Sequence, residues 1–123
     1  MLTDKRISVV VTCYRDEGSV LEMLRRLEQT LSGVTPHWEV IYVNDHSPDN
    51  AEAVLLEQAR TNPRLTVISH ARNFGAQAAF TTGMLQARGD AVVIMDGDLQ
   101  DPPEMIRDFV VKWLEGHEVV YGI

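Results

Sequence analysis

Four short runs rich in β-branched residues, Ile7 to Cys13, Glu39 to Val43, Leu65 to Ser69 and Ala91 to Met95, alternate with stretches of helical apolar spacing. This alternation constrains the fold more than any other feature of the chain. Apolar runs this short, bounded by polar turns, read as strands buried on both faces. Between them, Val20, Leu24, Leu27 and Leu31 share one helical face, as do Ile106, Phe109, Val110, Trp113 and Leu114. A third helical stretch, around Gly75 to Ala87, carries Ala76, Ala79, Phe80, Gly83 and Met84 on one side, small residues that suit close packing onto a sheet. Ser19-x-x-Glu22, Asp49-x-x-Glu52 and Asp101-x-x-Glu104 have the capping-box form or its Asp variant, and Gly33, Gly89 and Gly116 stand where helices should stop. The order predicts an α/β fold: a mainly parallel sheet with helices on both faces, with Val119 to Gly122 read as the start of a fifth strand.

The chain has 123 residues, 45% of them hydrophobic, which is enough for one core and argues for a single globular unit. Its formal charge is −7, from 11 basic and 18 acidic residues. That balance argues against a nucleic-acid surface or an anionic-membrane patch. The lone Cys13 excludes an internal disulfide and any Cys-x-x-Cys site, so a reducing, cytoplasmic setting is expected. No run reaches the ~18 apolar residues of a membrane span, and the opening Met-Leu-Thr-Asp-Lys-Arg does not read as a signal peptide.

In a doubly wound sheet, ligands bind beyond the carboxyl ends of the strands, near the point where strand order reverses. Behind the four runs stand Tyr14-Arg15-Asp16-Glu17, Asn44-Asp45-His46-Ser47, the segment from His70 through Arg72, Asn73 and Phe74 to Gly75, and Asp96-Gly97-Asp98-Leu99-Gln100. All four turns belong to one edge, and they hold more charge than helix capping requires. Asp96, Asp98 and Asp101 put three carboxylates into six residues. Carboxylates held so close repel unless a cation or protons intervene. Hard Mg²⁺ or Mn²⁺ prefers such oxygens and shares a few of them with substrate phosphates.

Each residue also has an ordinary structural reading. Tyr14 is either an edge aromatic or a platform for a base. Asp45 either holds the Ser47-Pro48-Asp49 turn or bonds a base or ribose. Arg72 and Asn73 read as a solvated loop pair rather than a phosphate clamp. His37, His70 and His117 read as surface or turn residues, His46 is open, and no two histidines fall at metal-ligand spacing. A P-loop is absent and no Gly-x-Gly-x-x-Gly follows the first strand, so phosphate would be held through a metal.

With these residues in place, the chain resembles the amino-terminal part of an inverting family 2 glycosyltransferase of the GT-A type. Its pattern is similar to that of the polyprenyl-phosphate sugar transferases, a resemblance that implies work on cell-envelope glycans. The likeness runs from Ile7-Ser-Val-Val-Val-Thr-Cys-Tyr through Glu39-Val-Ile-Tyr-Val-Asn-Asp-His-Ser-Pro-Asp and Arg72-Asn-Phe-Gly-Ala to Met95-Asp-Gly-Asp-Leu-Gln-Asp-Pro-Pro-Glu. It implies a Rossmann-like donor half in which Thr12, Tyr14, Asp16, Val43 and Asp45 surround the base and ribose of a nucleotide-diphosphate sugar. It further implies that Asp96, Gly97, Asp98 and Gln100 hold ribose, metal and diphosphate, with Asp96, Asp98 and Gln100 as the metal set and Asp98 its principal member.

Thr12 stands where the family usually has Pro, Arg15-Asp16-Glu17 replaces the common Asn-Glu-Glu, and Asn44 replaces the first of two frequent aspartates. The resemblance implies a lipid-linked phosphate as acceptor and a place at the cytoplasmic face of a membrane. It also implies an acceptor half beyond residue 123, without which the segment would bind donor but not transfer sugar. The competing plan is a phosphoacceptor receiver, whose acids follow the first and third strands. Here the third run ends in Ser69-His70, without an acid.

Overall fold

The computed structural model describes residues 1–116. Four strands, β1 (Ile7–Cys13), β2 (Trp38–Asn44), β3 (Leu65–Ser69) and β4 (Ala91–Asp96), form one parallel sheet in the order β3-β2-β1-β4. Helices α1 (Val20–Ser32), α2 (Ala51–Ala59), α3 (Ala76–Gln86) and α4 (Met105–Leu114) fill the crossovers, with a 3-10 turn at Glu17–Ser19. The fifth strand expected at Val119 to Gly122 lies outside the described residues. β2 starts one residue earlier than its apolar run and ends one later. Trp38 pairs with Ile7 and Asn44 with Cys13, so the register of β1 sets both ends.

Alternation along β1 divides the core. Ile7, Val9, Val11 and Cys13 face a cluster built with Val20, Met23, Leu27 and Leu31 of α1, Ala51 and Leu55 of α2, and Ile106 and Val110 of α4. Val10 faces the other way, with Ile41, Val43 and Ala79 under α3. Helices therefore cover both faces, as the sequence predicts. The four α1 side chains are fully buried, each contributing about 1.5–3 kcal/mol of transfer free energy. Position Gly83 of α3 has no room for a side chain, since a Cβ there would stand 2.3 Å from a Val10 methyl. The helix thus lies directly on the sheet, as its small residues suggest.

The capping boxes form differently from expectation. Ser19 stands at the α1 N-cap without a side-chain bond, and α4 begins at Met105 after Glu104 instead of at Asp101. In each case an arginine takes the glutamate: Glu22 binds Arg25 at 2.6 Å, and Glu104 binds Arg26 through Arg26 Nε at 2.9 Å. Asp49 does act at the start of α2, its Oδ1 accepting the Ala51 N–H at 3.1 Å. Gly116 follows α4 at φ 103°, the left-handed stop that glycine favours. Gly89 does not end α3; it lies three residues beyond Gln86, where Ser8 and Ala91 crowd its Cα.

Candidate functional site

The chain leaves β1 toward β2 on one side, and returns after β3 to place β4 on the other. Strand order therefore reverses between β1 and β4, and ligands collect at such a point. A cleft of about 340 Å³ opens there, lined by Thr12, Cys13, Tyr14, Asp16, Asp45, Asn73, Gly75, Ala76, Asp96 and Asp98. That volume falls in the range of small-molecule sites. All four turns singled out in the sequence contribute to it.

Thr12 and Asp96 are register partners across β1 and β4, and the Thr12 hydroxyl donates to Asp96 Oδ1 at 3.2 Å. Asp98 follows in a turn where Leu99 takes φ 63° and the Gln100 N–H closes on Asp98 Oδ1 at 3.1 Å. Asp16 accepts the Tyr14 N–H at 3.2 Å. Each of these three acids thus has one donor, and among the described residues none has an ion-pair partner. Burial raises the pKa of Asp16; the Tyr14 amide opposes this, and the charges of Asp98, Asp96 and Asp49 add to the rise. This pole of the cleft has an excess of negative charge that a cation would relieve.

The opposite pole is saturated. Asp45, 3% exposed, accepts the Phe74 N–H at 2.9 Å and the Gly75 N–H at 2.8 Å, and contacts His70 Nδ1 at 2.8 Å. Burial pushes its pKa up, yet the bonds from Phe74, His70 and Gly75 outweigh burial and hold it below the usual carboxylate range. The structure corrects the reading of His70 as a surface or turn residue. Its side chain is 11% exposed and bridges Asp45 to the Thr82 hydroxyl, which lies 2.9 Å from Nε2. The parallel register explains this: Asn44 pairs with Ser69, so the next residue on each strand, Asp45 and His70, meet.

Tyr14 lines the cleft and is 39% exposed, with the Arg15 guanidinium 5.3 Å from its ring centroid. Val43 is fully buried beneath α3 and does not line the cleft. Gly97 and Gln100 also lie off the lining, although a Cβ at Gly97 would sit 2.7 Å from the Thr12 carbonyl oxygen, so the turn tolerates only glycine. Cys13, Asn73, Gly75 and Ala76 line the cleft without having been selected from the sequence. The signal for the last three was the turn after β3, whose residues belong to the same edge. Burial first, then Asp16, pushes the Cys13 thiol up to about 12, so it is no nucleophile. Among the described residues no three His, Cys, Asp or Glu side chains form a ready metal cage. The donor set still fits a hard divalent ion, which takes one or two carboxylates and completes its shell with water and phosphate.

A parallel sheet ordered β3-β2-β1-β4, with an acidic cleft at its switch point, places the chain in the α/β class of GT-A glycosyltransferases. The model of the family described as glycosyl transferase family 2 matches residues 8–123, and the chain belongs to that family. It is 42% identical over 116 residues to YkcC, an uncharacterised glycosyltransferase of Bacillus subtilis strain 168, covering 94% of this chain and 36% of that protein. Among solved structures it is similar to the mannosyltransferase PcManGT from Pyrobaculum calidifontis in complex with GDP-Man and Mn²⁺, at 26% identity and a TM-score of 0.76, covering 96% of this chain and 34% of the other. It is also similar to residues 1–349 of S. aureus TarS in complex with UDP-GlcNAc, at 25% identity and a TM-score of 0.72, covering 91% and 33%. The chain spans about a third of the length of the curated relatives it matches.

Proposed function

We propose that this chain is the donor-binding part of a glycosyltransferase that moves a sugar from a nucleotide-diphosphate sugar, with a divalent cation and inversion, to a polyprenyl phosphate. One observation carries the reading. Asp16, Asp96 and Asp98, each with a single hydrogen-bond donor and no basic partner among the described residues, line one cleft at the sheet's switch point. A similar fold in PcManGT was solved with GDP-Man and Mn²⁺, which supports a nucleotide sugar and a cation here.

In this reading Asp98 and Asp96 would hold the cation, Thr12 keeps Asp96 oriented, and Gln100, off the cleft lining but in the same turn, would add its amide oxygen. When bound, Mg²⁺ or Mn²⁺ supplies charge neutralisation to the departing diphosphate. Tyr14, Asp16 and Asp45 flank the base and ribose, Val43 supports them from beneath, and Gly97 lets the turn approach the ligand. The anomeric carbon exchanges its bond to the leaving phosphate oxygen for one to an acceptor oxygen arriving from the opposite face. A phosphate acceptor is already anionic and needs no base. Transfer itself is assigned to groups beyond this third of the relatives' length, at the cytoplasmic face of a membrane, although no helix among the described residues is long and apolar enough to cross one.

The sheet order also separates this reading from a receiver, because flavodoxin-like receivers order their strands 2-1-3-4-5. A thermal-shift panel of UDP, GDP, CDP and dTDP with and without Mn²⁺ tests the proposal. One nucleotide at 100 times its Kd should add about 2.7 kcal/mol, and EDTA should remove the gain. If none of the four gives a cation-dependent shift, the reading fails.

A further inference from the structure

Tyr42 sits in the middle of β2, 0% exposed, paired with Val11 on one side and Val67 on the other. Its ring belongs to the core beneath α1 and α2, and its hydroxyl lies beside Gly97, behind the cleft lining. A Cβ built on Gly97 would stand 3.2 Å from Tyr42 Oη and 3.3 Å from Asp16 Oδ2. Phenol and carboxylate therefore flank the same glycine, the middle residue of the Asp96-Gly97-Asp98 turn. Tyr42 Oη is the one buried side-chain polar atom among the described residues without a protein partner. Asp16, in turn, accepts only the amide of its own loop, from Tyr14. A donor without an acceptor lies beside a carboxylate short of donors.

An unpaired buried hydroxyl destabilises a fold, and phenylalanine would fill the same space without that cost. The phenol is firmly a donor. Burial first, then the neighbouring Cys13 and Asp16, push its acidity far out of the working range, so the proton stays on. What separates the pair is the position of Asp16, held in the loop after β1 by a single amide at 3.2 Å, whereas the Tyr42 ring is fully buried in the core. Asp96 and Asp98 repel Asp16 from the turn, and a cation placed on them would cancel that repulsion.

We propose that Tyr42 is a positioning residue for the donor site: with cation and nucleotide bound, Asp16 swings over Gly97 and accepts a hydrogen bond from the Tyr42 hydroxyl. The bond fixes the Tyr14–Glu17 loop against the cleft and links cation occupancy at Asp96 and Asp98 to the shape of the base-binding wall. It rests on the donor-site reading above and adds to it a buried residue that does not line the cleft.

The test is Tyr42→Phe in the 123-residue chain, alongside Asp16→Asn and the double variant. Urea unfolding is measured without ligand, and Kd for GDP and UDP is measured with Mn²⁺. Without ligand, Tyr42→Phe should be as stable as the parent or more so. With Mn²⁺, its affinity for whichever nucleotide the parent binds should fall about tenfold, the scale of a hydrogen bond to a charged group. In the Asp16→Asn background the same change should do little further. If Tyr42→Phe binds as well as the parent, or weakens binding equally with and without Asp16, the inference is overturned while the donor-site reading stands. If it loses stability without ligand and keeps its affinity, the hydroxyl serves the fold through a structural water and the inference is likewise overturned. If the parent binds neither nucleotide with Mn²⁺, both the donor-site reading and this inference fall.

Discussion

At the scale of single residues, the cleft has two unlike poles. Asp45 is saturated with donors, whereas Asp16, Asp96 and Asp98 are short of them. The first arrangement builds structure: Asp45 ties β2 to the turn that starts α3, through Phe74, Gly75 and His70. Asp45→Asn keeps the shape but turns an acceptor into a partial donor facing N–H groups. It should cost about 1.5–3 kcal/mol in urea unfolding at neutral pH, the scale of bonds to a charged group. The pH dependence has a definite sign. Because the folded value lies below the ordinary 3.8, the parent's advantage is complete above that pH and is lost as pH falls through the lower folded value. An advantage that grew on acidification would contradict the assignment.

The acids themselves were legible in the sequence, because each follows an apolar run. Their partners were not. His70 stands 25 residues from Asp45 and becomes its neighbour only through the register of β2 with β3. Three non-glycine residues take positive φ, Arg15, His46 and Leu99, and of these only His46 is of a type enriched in left-handed turns. They fall in the turns after β1, β2 and β4, and they set where Asp16, Asp45 and Asp98 stand.

At the scale of elements, the four strands and their helices follow from β-branched runs and apolar spacing. The helix starts followed less well, because capping boxes assume a glutamate free to fold back. Arg25 and Arg26 capture Glu22 and Glu104 instead. The small-residue face of α3 was the more reliable signal. Packing at Gly83 is already closed, with a Cβ position 2.3 Å from one Val10 methyl and 3.2 Å from a Val43 methyl. Gly83→Ala would gain about 1 kcal/mol of helix propensity and lose about 1–3 to overpacking, because Val10 is held in the central strand. The variant should therefore unfold at lower urea. It should also bind nucleotide more weakly, since Gly75 and Ala76, at the start of the same helix, line the cleft. A stabilised variant with unchanged binding would show that α3 can lift without disturbing the site.

At the scale of the molecule, the order β3-β2-β1-β4 turns four separate polar turns into one cleft, and the excess of acid over base becomes local where Asp16, Asp96 and Asp98 meet. The motif Asp96-Gly97-Asp98 alone is compatible with an ordinary acidic turn. Its place opposite Thr12 at the reversal of strand order is what suits it to the ligand proposed above. In the proposed function this pole holds a cation which in turn holds a diphosphate. Calorimetric titration with Mn²⁺ and the nucleotide selected by the thermal-shift panel, on the parent and on Asp98→Ala, tests it most directly. The parent should bind nucleotide only with the cation, and Asp98→Ala should lose at least tenfold in affinity, with its unliganded stability unchanged or raised by relief of acid repulsion. Equal Mn²⁺-dependent affinity in the two proteins would contradict it.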